Sequence, residues 1–190
     1  LILAAATGPR ALAERPAAKA KPIDIGRRRE LFVDDYLIEK MTRARLMMHR
    51  PRDEGKVLKF DKPWEGAFSA YATVIKHGDK YQMYYRGKPT ASKDGKNESV
   101  CYAESGDGMR WIKPQLSLVA YGEANRTNII LAGEGTVGHN FSPFLDSRSG
   151  VAKPQRYKAV GGTVHTGLFA YVSPDGVHWT KLQDKPVIPK

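Results

Sequence analysis

The sequence predicts an all-β protein made of four-stranded antiparallel units in series, and three observations predict it. Short runs rich in β-branched and aromatic residues recur between turn signals. Gly and Pro number 18 and 12 among 190 residues, as expected of a chain with many turns rather than a helical bundle. A segment also recurs within the chain. Ser105-Gly106-Asp107-Gly108-Met109-Arg110-Trp111-Ile112-Lys113 matches Ser173-Pro174-Asp175-Gly176-Val177-His178-Trp179-Thr180-Lys181, with Ser, Asp, Gly, Trp and Lys coinciding at a constant offset of 68 residues.

Taken in order, the chain opens on Leu1-Ile2-Leu3-Ala4-Ala5-Ala6 and then Ala11-Leu12-Ala13. An apolar stretch followed by an A-x-A pattern reads as the tail of a secretory signal. Residues 1–26 are therefore expected to be a signal remnant and leader, with the folded domain over 27–190, in a secreted or periplasmic protein. Cys101 suits that setting, because a lone cysteine excludes an intrachain disulfide, a Cys-based zinc site and a CxxC pair. Its place in Ser99-Val100-Cys101-Tyr102-Ala103 makes it a small buried hydrophobe. No apolar run reaches the length of a membrane span.

The next segment is ambiguous. Leu37, Ile38, Met41, Ala44 and Met48 fall at helix-compatible spacing, and periodicity leaves that reading open. The reading preferred is two strands, Leu31–Ile38 and Arg45–Arg50, around a Lys40–Arg43 turn. Beyond it, Tyr71–Lys76 and Tyr81–Arg86 flank His77-Gly78-Asp79-Lys80 as a hairpin. The same grammar predicts strands near Ser99–Glu104, Asn128–Leu131, Asn140–Leu145, Arg156–Gly161 and Gly167–Val172.

The repeat explains how these strands are grouped. Each copy reads as a hairpin whose Ser and Asp side chains bond turn amides, whose Gly takes a positive φ and whose Trp folds back as a packing anchor. A second match, Lys80–Gly87 against Arg156–Gly162, precedes each copy. One period then holds four strands, and four-stranded units in series are propeller blades.

Several segments resemble a known group. Leu31-Phe32-Val33-Asp34-Asp35-Tyr36-Leu37-Ile38, Asp61-Lys62-Pro63-Trp64-Glu65-Gly66, Met83-Tyr84-Tyr85-Arg86-Gly87 and His139–Asp146 are similar to segments of the five-bladed β-propeller glycoside hydrolases, the invertase, levansucrase and arabinanase group. The resemblance covers residues 27–190 and implies the N-terminal part of a propeller, roughly two and a half blades at this period. It also implies that catalytic carboxylates stand on the innermost strands of successive blades, facing a central funnel.

On that implication Glu65, ahead of the first inner strand, is the first candidate for base or nucleophile, with Asp61 next. Glycoside hydrolysis needs two carboxyl groups across the scissile bond. In the second blade the leading position holds His139-Asn140 where the group carries an Asp. Asn can bond a sugar hydroxyl but cannot act as an acid. The general acid would lie beyond residue 190. Trp64, Tyr71, Arg86, His139 and Asn140 are the candidate substrate-binding residues, converging with Glu65 at one end of the blades. Trp64 would stack on a sugar ring, and Arg86 would hold a carboxylate or sulfate.

Other motifs carry less. Asp107 and Asp175 belong to the repeated turns. Asp146 reads as a turn former, and Asp34 and Asp35 lie on an outer strand. Five histidines without HxH or HExxH spacing give no support for a metal site. Gly133–Gly138 lacks the Lys-Ser/Thr of a phosphate loop, so no nucleotide cofactor is expected.

The charge balance is basic, 31 Lys+Arg against 20 Asp+Glu. Without a nucleic-acid motif, it points to a solvated surface or to attraction for sulfated or uronic glycans. Two classes of function follow: a secreted glycoside hydrolase, or a non-catalytic propeller binding glycan or protein by its funnel face. Oligomeric state is not legible.

Overall fold

The computed structural model describes residues 21–91 and 97–190. These divide into two units, one ending at Arg52 and the other spanning Asp53–Lys190. Most of the expected leader, residues 1–20, lies outside the described residues.

The two strands expected at 31–38 and 45–50 are absent, as is the alternative helix; residues 21–52 carry turns and bends only. The cause is local. Asp34 Oδ1 accepts the amide of Tyr36 at 3.0 Å, and the amide of Ile38 bonds the carbonyl of Asp35 at 3.0 Å. Asp side chains that bond nearby amides offer the backbone a turn in place of a ladder. Leu31, Phe32, Val33 and Tyr36 stay exposed.

The second unit holds two four-stranded antiparallel sheets, each in sequence order. The first comprises β1 (Ala70–His77), β2 (Lys80–Gly87), β3 (Ser99–Ser105) and β4 (Ile129–Ala132). The second comprises β5 (Ser142–Leu145), β6 (Tyr157–Thr163), β7 (Gly167–Ser173) and β8 (Thr180–Lys181). All seven strands expected from Tyr71 onward are present within a few residues. The strand expected from Asn140 begins at Ser142, because a 3-10 turn over Gly135–His139 leads into it.

The repeat is geometric as well as textual. Tyr81 pairs with Ser105 in the first sheet, and Tyr157 pairs with Ser173 in the second. Glu104 bridges Ile112, and its counterpart Val172 pairs with Thr180. The fourth position of each sheet is made in two pieces. After the Trp, the chain leaves and returns to pair with the start of the third strand, through Leu131 on Val100 and Ile188 on Leu168.

The turns have one hydrogen-bond pattern. Ser105 Oγ accepts the amide of Gly108 at 2.8 Å, and Ser173 Oγ accepts that of Gly176 at 2.9 Å. Asp107 Oδ1 takes the amides of Met109 and Arg110, and Asp175 Oδ1 those of Val177 and His178. The indole of Trp111 donates to Gly108 O and that of Trp179 to Gly176 O. Burial alone would raise the Asp175 carboxyl, but the bonds from His178, Val177 and Ser173 outweigh it and hold its pKa at about 2.

The core has two parts. One lies between the sheets, where Trp179 packs against Tyr84 and Phe141 with ring centroids 6.1 and 5.1 Å apart. The other gathers Trp64, Met83, Tyr85, Cys101, Ala103 and Ile129, with Trp111 against it. Cys101 is fully buried, which pushes its thiol up to about 12.

The two turn glycines give a matched test. Gly108 and Gly176 have φ of +77° and +81°, but a Cβ on Gly176 would lie 2.3 Å from Tyr84 Oη, whereas one on Gly108 meets nothing nearer than 3.7 Å. Gly108→Ala should cost about 1–2 kcal/mol from backbone conformation alone. Gly176→Ala should cost about 1–3 kcal/mol more from overpacking. Urea unfolding of the two variants measures the difference, which Tyr84→Phe should narrow.

Candidate functional site

The first strand of each sheet is an edge strand, β1 and β5 pack against each other, and the contact of Tyr71 with His139 puts their starts at one end of the unit. There the backbone of β1 is irregular. Its register with β2 shifts between Ala70 and Thr73, and Tyr71 has a φ of +57°. A bulge re-aims a side chain, and a left-handed backbone at a bulky residue stores strain. The outcome is a Tyr71 ring 56% exposed, with the Arg86 guanidinium 4.6 Å from its centroid and the His139 ring at 5.4 Å.

Beneath this ring lies a set of charges. Arg86 Nη2 donates to Phe68 O at 2.8 Å. Glu98 Oε1 accepts from Lys88 Nζ at 2.5 Å and stands 4.0 Å from Arg86 Nη1. His139 Nδ1 is 3.1 Å from both Glu98 Oε1 and Arg86 Nη1. That nitrogen donates to Glu98 when it carries the proton and accepts from Arg86 in the other tautomer. Burial alone would raise the Glu98 carboxyl. Lys88 and His139 outweigh it and hold the group below the usual carboxylate range.

Asn140 sits exposed beside His139, with its Oδ1 accepting the amide of Gly162 at 3.1 Å. The structure thus brings together Tyr71, Arg86, His139 and Asn140 and adds Lys88 and Glu98.

It places the other candidates on the opposite side of β2. Tyr85 and Arg86 are neighbours on a strand and point to opposite faces. Trp64 is only 7% exposed, its indole donating to Asn128 Oδ1 at 2.7 Å, so no face is open for a sugar. Glu65 is fully buried. Its Oε1 accepts from Tyr85 at 2.5 Å, and its Oε2 accepts from the Lys62 amide at 2.9 Å and Lys113 Nζ at 2.7 Å. Asp61 pairs with the same Lys113 at 3.0 Å, which holds the Asp61 carboxyl down.

The repeat clarifies this arrangement. Lys113 closes the first Ser-x-Asp-Gly-x-x-Trp-x-Lys segment and Lys181 the second. Lys181 Nζ pairs with Glu134 at 2.7 Å, and Glu134 also accepts from Tyr171 at 3.1 Å. Glu65 and Glu134 each precede a Gly and stand ahead of the first strand of their sheet. Each sheet therefore carries a Glu–Lys latch, with a tyrosine hydroxyl on the Glu, joining the entry of its first strand to its fourth.

No family model matches the chain, and no curated protein matches it. A solved structure described as a glycoside hydrolase is similar at 16% sequence identity with a TM-score of 0.39, over 67% of this chain. The chain spans 39% of the length of that protein.

Two residues of the open cluster, Lys88 and Glu98, were not read from the sequence, because only the β2–β3 register reveals them. Gly87 pairs with Ser99 at the end of the β2–β3 ladder, so Lys88 and Glu98 are the next cross-strand pair. Among the described residues no three metal-ligating side chains come together.

The latch gives a direct prediction. Glu65→Gln leaves Lys113 without its buried counter-charge and should lose about 3 kcal/mol of stability. Glu134→Gln, whose pair is partly exposed, should lose well under half of that. Thermal melts of the two variants check the ratio.

Proposed function

We propose that this chain is the sugar-contacting part of a carbohydrate-directed β-propeller, in a secreted or periplasmic protein, with its site at the shared start of β1 and β5. The observation that carries the reading is Tyr71. An exposed aromatic ring held in a strained backbone, backed by a cation and flanked by an imidazole and an amide, is a stacking platform ringed by hydrogen-bonding groups. The repeat and its resemblance to propeller glycoside hydrolases support the fold-level half of the reading.

In this reading Trp64 is a core residue that does not touch sugar, and Arg86, His139 and Asn140 bond hydroxyl or charged groups. Hydrolysis requires two carboxyl groups facing the same bond. Among the described residues, Glu98 is the carboxylate that belongs to this cluster. It is ionised and held by Lys88 and His139, which suits a group that orders its neighbours. A hydrolase would draw its acid and nucleophile from outside this cluster, because Glu65 and Asp61 are held by Lys113 on the other side of β2. The clamped state of Glu98 favours the second reading, a propeller that binds glycan without cleaving it.

Tyr71→Gly separates function from folding. Glycine accepts the positive φ without strain, so the melting temperature should hold or rise. Loss of the ring should weaken oligosaccharide binding by about tenfold or more in the full-length protein. A glycan array followed by calorimetry on the best ligand reads both. Unchanged affinity in the folded variant would remove Tyr71 from the site.

A further inference from the structure

The buried atoms under Tyr71 say what kind of sugar the site selects. Among the described residues, four buried side-chain polar atoms have no hydrogen-bond partner: Ser69 Oγ, Tyr84 Oη, Arg86 Nε and Glu98 Oε2. Two of the four, Arg86 Nε and Glu98 Oε2, belong to this one cluster. Buried polar groups are ordinarily satisfied, and leaving one unmet costs about 1–3 kcal/mol. An unmet donor on a cation beside an unmet acceptor on a carboxylate describes a site suited to a polar ligand.

The charge count adds a sign. The side chains of Arg86 and Lys88 are 11% and 10% exposed and that of Glu98 is 1% exposed. Among the described residues of the cluster, two desolvated cations face one desolvated anion, so one positive charge is left over whichever tautomer His139 takes. An uncompensated buried charge is costly, and a ligand anion removes that cost. Arg86 has two of its donor nitrogens directed by Phe68 O and the His139–Glu98 pair, with its guanidinium carbon 4.6 Å from the Tyr71 ring centroid. That leaves its Nε edge for a carboxylate or sulfate oxygen. The unmet Glu98 Oε2 accepts a hydroxyl, which a sugar supplies and a bare inorganic anion does not. The exposed Tyr71 and the half-buried His139 form the solvent-facing side of the cluster.

We infer that the site selects a sugar bearing an anionic substituent, a uronate carboxylate or a sulfate ester, held by Arg86 with Lys88 supplying the surplus charge. This rests on the carbohydrate reading above.

The test is calorimetric titration of the full-length protein with three oligosaccharides matched in length: an oligogalacturonate, a sulfated galactan fragment and a neutral galactan fragment. The anionic sugar should bind at least about tenfold more tightly than the neutral one at low salt, with the advantage shrinking as salt rises. Which anionic arm wins identifies the substituent. Arg86→Gln should abolish the advantage while the melting temperature shows a folded protein. If that variant does not fold, Arg86→Lys carries the test, because it keeps the charge but loses the planar fork, and the advantage should drop several-fold.

Equal affinity for neutral and anionic sugars would overturn this inference and leave the carbohydrate reading standing. A folded Arg86 variant that keeps the full preference would overturn it too. Binding of none of the three would overturn both.

Discussion

The Glu–Lys latch is the interaction on which the rest of the structure depends. Glu65 is fully buried and bonded to Lys113, Tyr85 and the Lys62 amide, which fixes the Asp61–Gly66 turn against the end of β2. From that anchor the carbonyl of Glu65 accepts the amide of Lys88 at 2.8 Å, and a Cβ on Gly66, at a φ of +73°, would fall 2.5 Å from Pro89. The chain then has three residues, Ala67 to Ser69, before β1 begins. Phe68 offers its carbonyl to Arg86, and Tyr71 lands on the same guanidinium. The open face of the cluster is thus held by the closed one. A buried ion pair contributes little net stability against an apolar replacement, but breaking it is costly, so its value here lies in fixing the position of the strand entry.

The repeat shows the same device twice under different demands. Glu134 and Lys181 form the second latch in a partly exposed setting, and the turn after it leads through Val137 and His139 into β5. One latch therefore stands ahead of Tyr71 and the other ahead of His139 and Asn140, the two sides of the candidate site. The sheets lock to each other elsewhere, where the second turn sits against Tyr84 and Gln82 Nε2 donates to Asp175 O at 3.0 Å. That contact is why Gly176 is tightly enclosed while Gly108 faces open space.

The sheets were legible in the sequence because their signals are local: alternation, hairpin turns and a nine-residue repeat whose side chains bond their own backbone. The N-terminal strands were misread because Leu31–Ile38 has a strand's composition, whereas Asp34 and Asp35 turn the chain and no ladder forms there. The site was half legible. That Tyr71, Arg86, His139 and Asn140 lie near one another was legible, because Tyr71, His139 and Asn140 sit at inner-strand starts and Arg86 at the end of the neighbouring β2. Trp64 and Glu65 also precede an inner strand, but the face that receives them depends on Lys113 and Asn128, which lie 48 and 64 residues from their partners. Nothing in the local pattern carries that distance, although Lys113 is part of the repeat and its recurrence as Lys181 was the available clue. Lys88 and Glu98 needed the β2–β3 register, and the longer connection between those strands hides it.

The two ends of the sheets offer a decisive contrast. One end carries the Tyr71 cluster. The other carries a cleft of about 500 Å³ lined by His77, Gln82, Tyr102, Glu104, Tyr157 and Asp175 among others, with the Tyr157 hydroxyl 2.7 Å from His77 Nδ1. Hydrogen–deuterium exchange of the full-length protein, with and without a saturating oligosaccharide that it binds, tells them apart. The account predicts protection in peptides covering residues 66–72, 86–90 and 138–142. Protection confined to residues 77–82 and 173–178 would contradict it.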